Sequence, residues 1–394
     1  MITQGYVAAP APRRRLDRLG LLLGTVVLVA LVLMPFIVFK SSRIASGDVR
    51  SLFQALPGAG GELTAGLALI AVVIAVWAAD ARVRLAAGIS GVVVIALAVG
   101  HAADLLTPTG NRVVRIAPGA GSWVLLIAFM LVATNALSQF RLRPAVRVGC
   151  LLVTSLVVYT AFAAGLFDHL SVMREYAVNE SSFGREARRH VALALGSLGL
   201  AVLVGIPVGV VCHRVPRVRG VILQILNLVQ TIPSIALFGI LMVPLGALAT
   251  AYPWIGELGI HGIGAAPAVV ALFLYSLLPV VANTAVGLGR VSPATVEAAR
   301  GMGLTDWQLL WQVELVLALP VILTGIRIVL VQNIGLVTVA ALIGGGGFGT
   351  FVFQGVGQTA IDLVLLGAIP TVTLAFACAV VMDALVDGLQ RTLR

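Results

Sequence analysis

Runs of mostly apolar residues alternate with short polar segments along the 394-residue chain. A membrane span needs about 20 such residues to cross a hydrocarbon core of roughly 30 Å. Ten spans are predicted, at 19–39, 62–79, 83–100, 122–140, 145–167, 191–212, 220–247, 266–289, 318–342 and 361–388. One polar island, 291–320, stands apart with the sequence VSPATVEAARGMGLTDWQLLWQVELVLALP. Ser292 and Pro293 predict a helix start, with an acceptor side chain for free N–H groups and a proline in the first turn. Glu297, Ala298, Ala299 and Arg300 continue as good helix formers. Gly301 and Gly303 break that helix, and Thr305 or Asp306 caps a second one running through Trp307 and Trp311. The island is therefore predicted as a short helix, a glycine bend and another short helix between two spans.

Composition fixes the class. With 60% hydrophobic and 11% charged residues, the chain is excluded as a soluble globular protein. It is predicted as all-α, integral to the membrane, with about ten transmembrane helices. The net charge of +10 is arginine apart from Lys40, and it is scattered through short loops, which excludes a nucleic-acid surface and fits orientation against an anionic inner leaflet. With the N-terminus inside, sixteen arginines, among them Arg13, Arg14, Arg15, Arg141 and Arg394, fall in inner segments. Nine basic residues, Arg112 among them, fall in outer segments, and Arg327 in the ninth span completes the 26. Positively charged loops resist translocation, so both termini and the island are predicted to be cytoplasmic. The arginines before the first span resemble a signal-peptide n-region, but 19–39 is too long for an h-region and is expected to be retained.

The composition shifts near residue 168. Residues 1–167 are predicted as an N-terminal membrane region of five spans without identifiable chemistry. Residues 168–190, rich in charge and amides, are predicted as an extracytoplasmic connecting segment. Residues 191–394 hold five spans with more internal proline, amide and hydroxyl groups and are the better candidate for a working core. In the seventh span Gln224, Asn227, Thr231 and Ser234 recur at helical spacing, which predicts one polar face with Gln230 and Pro233 beside it. Such a face serves either a substrate pathway or hydrogen bonding between helices. Tyr275, Pro279 and Asn283 form a thinner stripe in the eighth span, with the same two readings. Arg327 is expected to snorkel to the cytoplasmic surface, or else to pair with Asp383 or Asp387. Gly205 and Gly209 form a weak small-xxx-small pair. The glycines at 344–347 lack the lysine, the Ser/Thr and the preceding strand of a phosphate loop, and are expected to be a flexible or re-entrant turn. A single lysine at position 40 leaves no Walker A site, so any ATP must be handled elsewhere. No cofactor site, metal cluster or catalytic constellation is recognisable, and His101, His169, His190, His213 and His261 are scattered.

Three stretches carry a family resemblance: QTIPS at 230–234, YSLLPVVANT at 275–284 and EAARGMGLTDWQ at 297–308. They resemble the permease subunit of ABC importers for osmoprotectants such as glycine betaine, carnitine and choline, over roughly residues 190–388. The Glu-Ala-Ala-x-x-x-Gly signature marks ABC importer permeases as a class. The class pattern continues with Leu-Pro, where this chain has Leu315 and Val316, so the end of the second short helix is unmarked. The resemblance implies a five-helix permease core in a bacterial inner membrane, preceded here by five additional spans. It implies that 291–317 contains the coupling helix for a separate ATPase, through Glu297, Ala298, Ala299, Gly301, Gly303, Leu304, Asp306, Trp307 and Trp311. An amphipathic helix resting on the inner leaflet is the alternative for the residues taken alone. The implied partners are two ABC ATPase subunits, an extracytoplasmic solute-binding protein, a second permease copy or paralogue, and membrane lipid. The implied cargo suits a pathway of amides, hydroxyls and aromatic faces, with Gln224, Asn227, Thr231, Ser234, Tyr275 and Asn283 as its expected lining. Rival expectations are an ABC permease for an amino acid or sulfonate, an ion-coupled secondary transporter, and an integral membrane enzyme.

Overall fold

A computed structural model describes residues 18–43, 45–111, 113–140 and 142–392. The sequence-stretch containing Arg13, Arg14 and Arg15, and the single residues Arg112, Arg141 and Arg394, lie outside the described residues. Among the described residues nine helices are long and apolar enough to cross a membrane, and a shorter apolar helix, Gly20–Leu33, stands at the first predicted span. The chain divides into two compact units, Met1–Arg141 with Thr160–Ser171, and Leu142–Tyr159 with Val172–Arg394.

The first unit contains α1 (Arg18–Leu33), β1 (Ile37–Lys40), β2 (Asp48–Arg50), α2 (Leu52–Ala55), α3 (Ala59–Trp77), α4 (Ala81–Leu106), β3 (Arg115–Pro118) and α5 (Ala120–Ser138). The first span is six residues shorter than expected, ending at Leu33 rather than 39. Pro35 disfavours helical backbone before it and supplies no N–H, and the β-branched Ile37 and Val38 that follow enter a strand. The sheet is antiparallel in the order β2-β1-β3, with Ile37 opposite both Arg50 and Pro118. Helices α4 and α5 approach closely because Gly88 faces the Ala133 backbone and Gly91 faces the Phe129 ring, which lies fully buried.

Helix α6 (Pro144–Ala163) contains no buried residue. The second unit continues with α7 (Ser171–Arg214), α8 (Pro216–Thr231), α9 (Ser234–Ala251), α10 (Pro253–Glu257) and α11 (Ala265–Gly289). Then follow α12 (Pro293–Gly301), α13 (Asp306–Leu309), a π turn (Leu310–Glu314), α14 (Leu315–Ala340), α15 (Gly349–Gly357) and α16 (Ile361–Thr392). The expected connecting segment is mostly helix: α7 runs unbroken for 44 residues, about 66 Å at 1.5 Å per residue, twice what a bilayer core requires. The core of this unit is built by α7, α11, α14 and α16 around Leu193, Leu198, Leu272, Val280, Val329 and Ile334. At its centre Asn333 of α14 donates to Ser197 of α7 at 3.0 Å and accepts from Ser276 of α11 at 3.1 Å, so the three helices share one closed polar network.

Candidate functional site

The polar island folds as a bent pair of helices. The carbonyl of Ser292 accepts from the N–H groups of Thr295 and Val296, while its hydroxyl makes no capping bond, so Pro293 rather than the serine side chain sets the helix start. Helix α12 ends at Gly301, and the reversal falls on Gly303, whose φ of +86° is the left-handed backbone that favours glycine. The Leu304 N–H closes the turn onto the Ala299 carbonyl at 3.3 Å. Thr305 is the cap of α13: its hydroxyl accepts from the Gln308 N–H, and the Gln308 side chain accepts from the Thr305 N–H at 2.9 Å. Arg300 reaches across the bend to Asp306 at 3.3 Å, an exposed pair worth little by itself.

The second helix does not end where expected. With no glycine or proline between Asp306 and Leu319, α13 passes through the π turn directly into α14, making one helical stretch over 306–343 instead of a short helix followed by a separate span. A π turn holds one residue more than an α turn, so it rotates the side chains beyond it by about 100°. Leu309 and Glu314 are buried, whereas Trp307 and Trp311 point outward with ring centroids 5.5 Å apart. Met302 is 75% exposed, Trp307 68% and Trp311 53%. Glu297, Ala298, Gly301, Gly303 and Asp306 are also exposed and Leu304 is half-buried. Ala299 departs from the expected surface: it is 2% exposed and packs inside the subunit.

The seventh span is two helices. Pro233 supplies no N–H and holds Ile232 extended, ψ 127°, so α8 stops at Thr231 and Ser234 opens α9. The expected continuous stripe is thereby divided. Gln224, Asn227 and Thr231 form an exposed face of α8, opposite the apolar face that packs Leu226 against Leu277, Val281 and Ala285 of α11. Ser234 lies beyond the break, half-buried. Tyr275 is buried, and its hydroxyl donates to the Ile232 carbonyl at 2.5 Å, which pins the break to α11. Asn283 is half-buried and donates to the Pro279 carbonyl at 2.8 Å.

Residues 201–394 match the binding-protein-dependent transport system inner membrane component family, and residues 17–173 match the N-terminal domain of the ABC transporter permease YehY. The osmoprotectant import permease protein OsmW of Salmonella typhimurium is 44% identical over 51% of this chain and 87% of its own length. The carnitine transport permease protein OpuCD of Listeria monocytogenes is 36% identical over 55% of this chain and 89% of its own. A solved structure of the inward-facing MetNI methionine ABC transporter shares 22% identity across 52% of this chain and 95% of that one, with a TM-score of 0.45. The chain belongs to the ABC importer permease family. It is a multi-pass inner-membrane transport subunit, and membership implies ATPase and binding-protein partners.

Long-range contacts complete the permease. The glycine run at 344–347 is not loose: the Glu186 carboxylate accepts from the Gly347 N–H at 2.7 Å, and Arg189 donates to the Gly344 carbonyl at 3.1 Å. His190, fully buried, accepts the Phe348 N–H on Nδ1 at 3.2 Å, which leaves Nε2–H to donate to the Ile334 carbonyl at 3.0 Å. Of the two readings of Arg327 the structure shows the pairing: it bonds Asp383 of α16, and Arg147 of α6 pairs with Asp387 one turn further on at 2.8 Å. Gly205 and Gly209 do serve close approach, since Val280 and Thr284 of α11 occupy the places their Cβ atoms would need.

Proposed function

We propose that this permease imports small quaternary-ammonium osmoprotectants of the glycine betaine, carnitine and choline type. It works as a dimer with a second copy or paralogue, driven by two ATPase subunits and supplied by an extracytoplasmic binding protein. The observation that carries this reading is the uncovered Trp307–Trp311 ring pair, with exposed Met302 before it, on a capped bend that continues without interruption into a membrane span. Exposed tryptophans of this kind are frequent interface anchors, and a docked ATPase would cover them. Residues 291–317 are the coupling segment in this reading, with Glu297, Ala298, Gly301, Gly303, Leu304, Asp306, Trp307 and Trp311 facing the partner and Ala299 supporting them from beneath.

Both termini and the coupling segment lie in the cytoplasm, and the polar first half of α7 lies outside. Residues 1–167 form an accessory membrane region and 191–394 the transporting core. The cargo path runs along the exposed face of Gln224, Asn227 and Thr231, because polar side chains pointing out of a membrane helix require water or protein opposite them. Ser234 extends that face, Tyr275 holds the break between α8 and α9, and Asn283 lines the path from α11 beside α14. ATP-driven closure of the ATPases moves the coupling segments and switches the core between outward and inward access.

Uptake by the complex reconstituted with its ATPase and binding protein tests the reading. ATP-dependent uptake of glycine betaine, competed by choline or carnitine, is expected. Uptake of an amino acid or sulfonate alone would reassign the cargo, and transport without any ATPase would contradict the class.

A further inference from the structure

Helices α7 and α14 run antiparallel and are joined by polar contacts at both ends. Near the glycine turn the joint is dense, with Glu186, Arg189 and His190 of α7 bound to the backbone of Gly347, Gly344, Phe348 and Ile334, and Ser197 bound to Asn333. Over the 17 residues from Ser197 to Arg214 (214 − 197), about 26 Å at 1.5 Å per residue, α7 meets α14 through apolar contacts of Ile206 and Val210. Within that length Pro207 removes one bond from the helix ladder. Among the described residues the far end is then closed by one ion pair. Arg214, the last residue of α7, donates to Glu314 at 2.5 Å.

Glu314 is the last residue of the π turn, and its side chain is 4% exposed. The Arg214 side chain is 37% exposed, so the pair is only half-buried and adds little net stability; what it can do is fix the registry of two elements. Here the two elements are the C-terminal end of α7 and the helical stretch that leads out of α13. The π turn lets both purposes coexist, since it sets Glu314 toward Arg214 while Trp307 and Trp311 face away.

We infer that Arg214 and Glu314 are positioning residues that make α7 follow the coupling segment, so that displacement of α12 and α13 reaches the glycine turn at 344–347 through α7 as well as through α14. The inference rests on the coupling role proposed for 291–317. Neither residue touches cargo or ATP. Loss of the pair leaves the ATPase docked and active but lets α7 lag behind α14.

The test uses the full complex in proteoliposomes, with radiolabelled glycine betaine and choline as probes, and reads uptake per ATP hydrolysed. Glu314→Gln and Arg214→Gln are expected to lower that ratio about tenfold while ATPase association stays at the wild-type level. The exchanged pair Arg214→Glu with Glu314→Arg is expected to restore it, which loss of folding would not permit. A ratio within about twofold of wild type in both single variants overturns the inference. So does an exchanged pair that is inserted and ATPase-bound yet uncoupled, and this second variant decides the matter if a single variant fails to accumulate. A wild-type complex that takes up neither probe with ATP would instead sink the transport reading, and the inference with it.

Discussion

The side-chain amide of Gln230 donates to the carbonyl oxygen of Tyr275 at 2.8 Å. That oxygen is the one left without an intrahelical donor by Pro279, four residues further along α11. Together with the Tyr275 hydroxyl on the Ile232 carbonyl, it forms a reciprocal clamp in which α11 holds the break between α8 and α9 and the break repairs α11. Gln230→Leu leaves the Tyr275 carbonyl unpaired and is expected to destabilise the purified permease by about 1–3 kcal/mol. Tyr275→Phe orphans the Ile232 carbonyl and is expected to act in the same range. Denaturant unfolding in detergent measures both.

Close helix approach makes a second expectation. A Cβ at Gly209 would lie 2.5 Å from the Thr284 Cβ and 2.9 Å from the Val281 carbonyl oxygen, so Gly209→Ala must push α7 off α11. A loss of about 1–3 kcal/mol from overpacking is expected. Gly199, on the same helix with open space around its Cβ position, is the control: Gly199→Ala is expected to be neutral or stabilising. Equal effects at both positions in the same unfolding assay would contradict the packing account.

The glycine turn gives a third. Because the charged Glu186 carboxylate holds the Gly347 N–H, Glu186→Gln weakens a charge-assisted bond worth about 1.5–3 kcal/mol. Amide hydrogen exchange of the peptide spanning 344–350 is expected to accelerate by about tenfold or more, while the α11 peptides stay protected. Unchanged exchange at the turn would show that Glu186 does not hold it.

What the sequence made legible and what it concealed follow from the range of the interactions. Spans, the glycine bend at Gly303 and the cap at Thr305 depend on neighbours within four residues, and local pattern revealed them. Strand β1 reads as part of the first span because a short apolar run looks alike as helix or strand, and only Pro35 marks the boundary. Pro233 was visible too, yet the apolar flow on either side of it outweighed the break it makes. The partners of His190 and Glu186 lie more than 140 positions away and that of Arg214 lies 100 away, distances over which one sequence carries no signal, whereas Asp383 was open to Arg327 because a charge inside a span calls for a counter-charge. Gly205 and Gly209 stand at the spacing of a close approach, but their partner surface on α11 has no sequence signature.

The central claim is that the bend formed by α12 and α13 is where the ATPase docks, and its affinity for the permease tests that most directly. Trp307 and Trp311 are exposed and hold no described core contact together beyond their own ring pair, so alanine at both leaves the fold intact. Titration of detergent-solubilised permease with the ATPase subunit of its importer is expected to give a Kd raised about 30-fold or more for Trp307→Ala with Trp311→Ala, the loss of at least one interface anchor worth about 2 kcal/mol. Binding of the double variant at the wild-type Kd would contradict the coupling assignment.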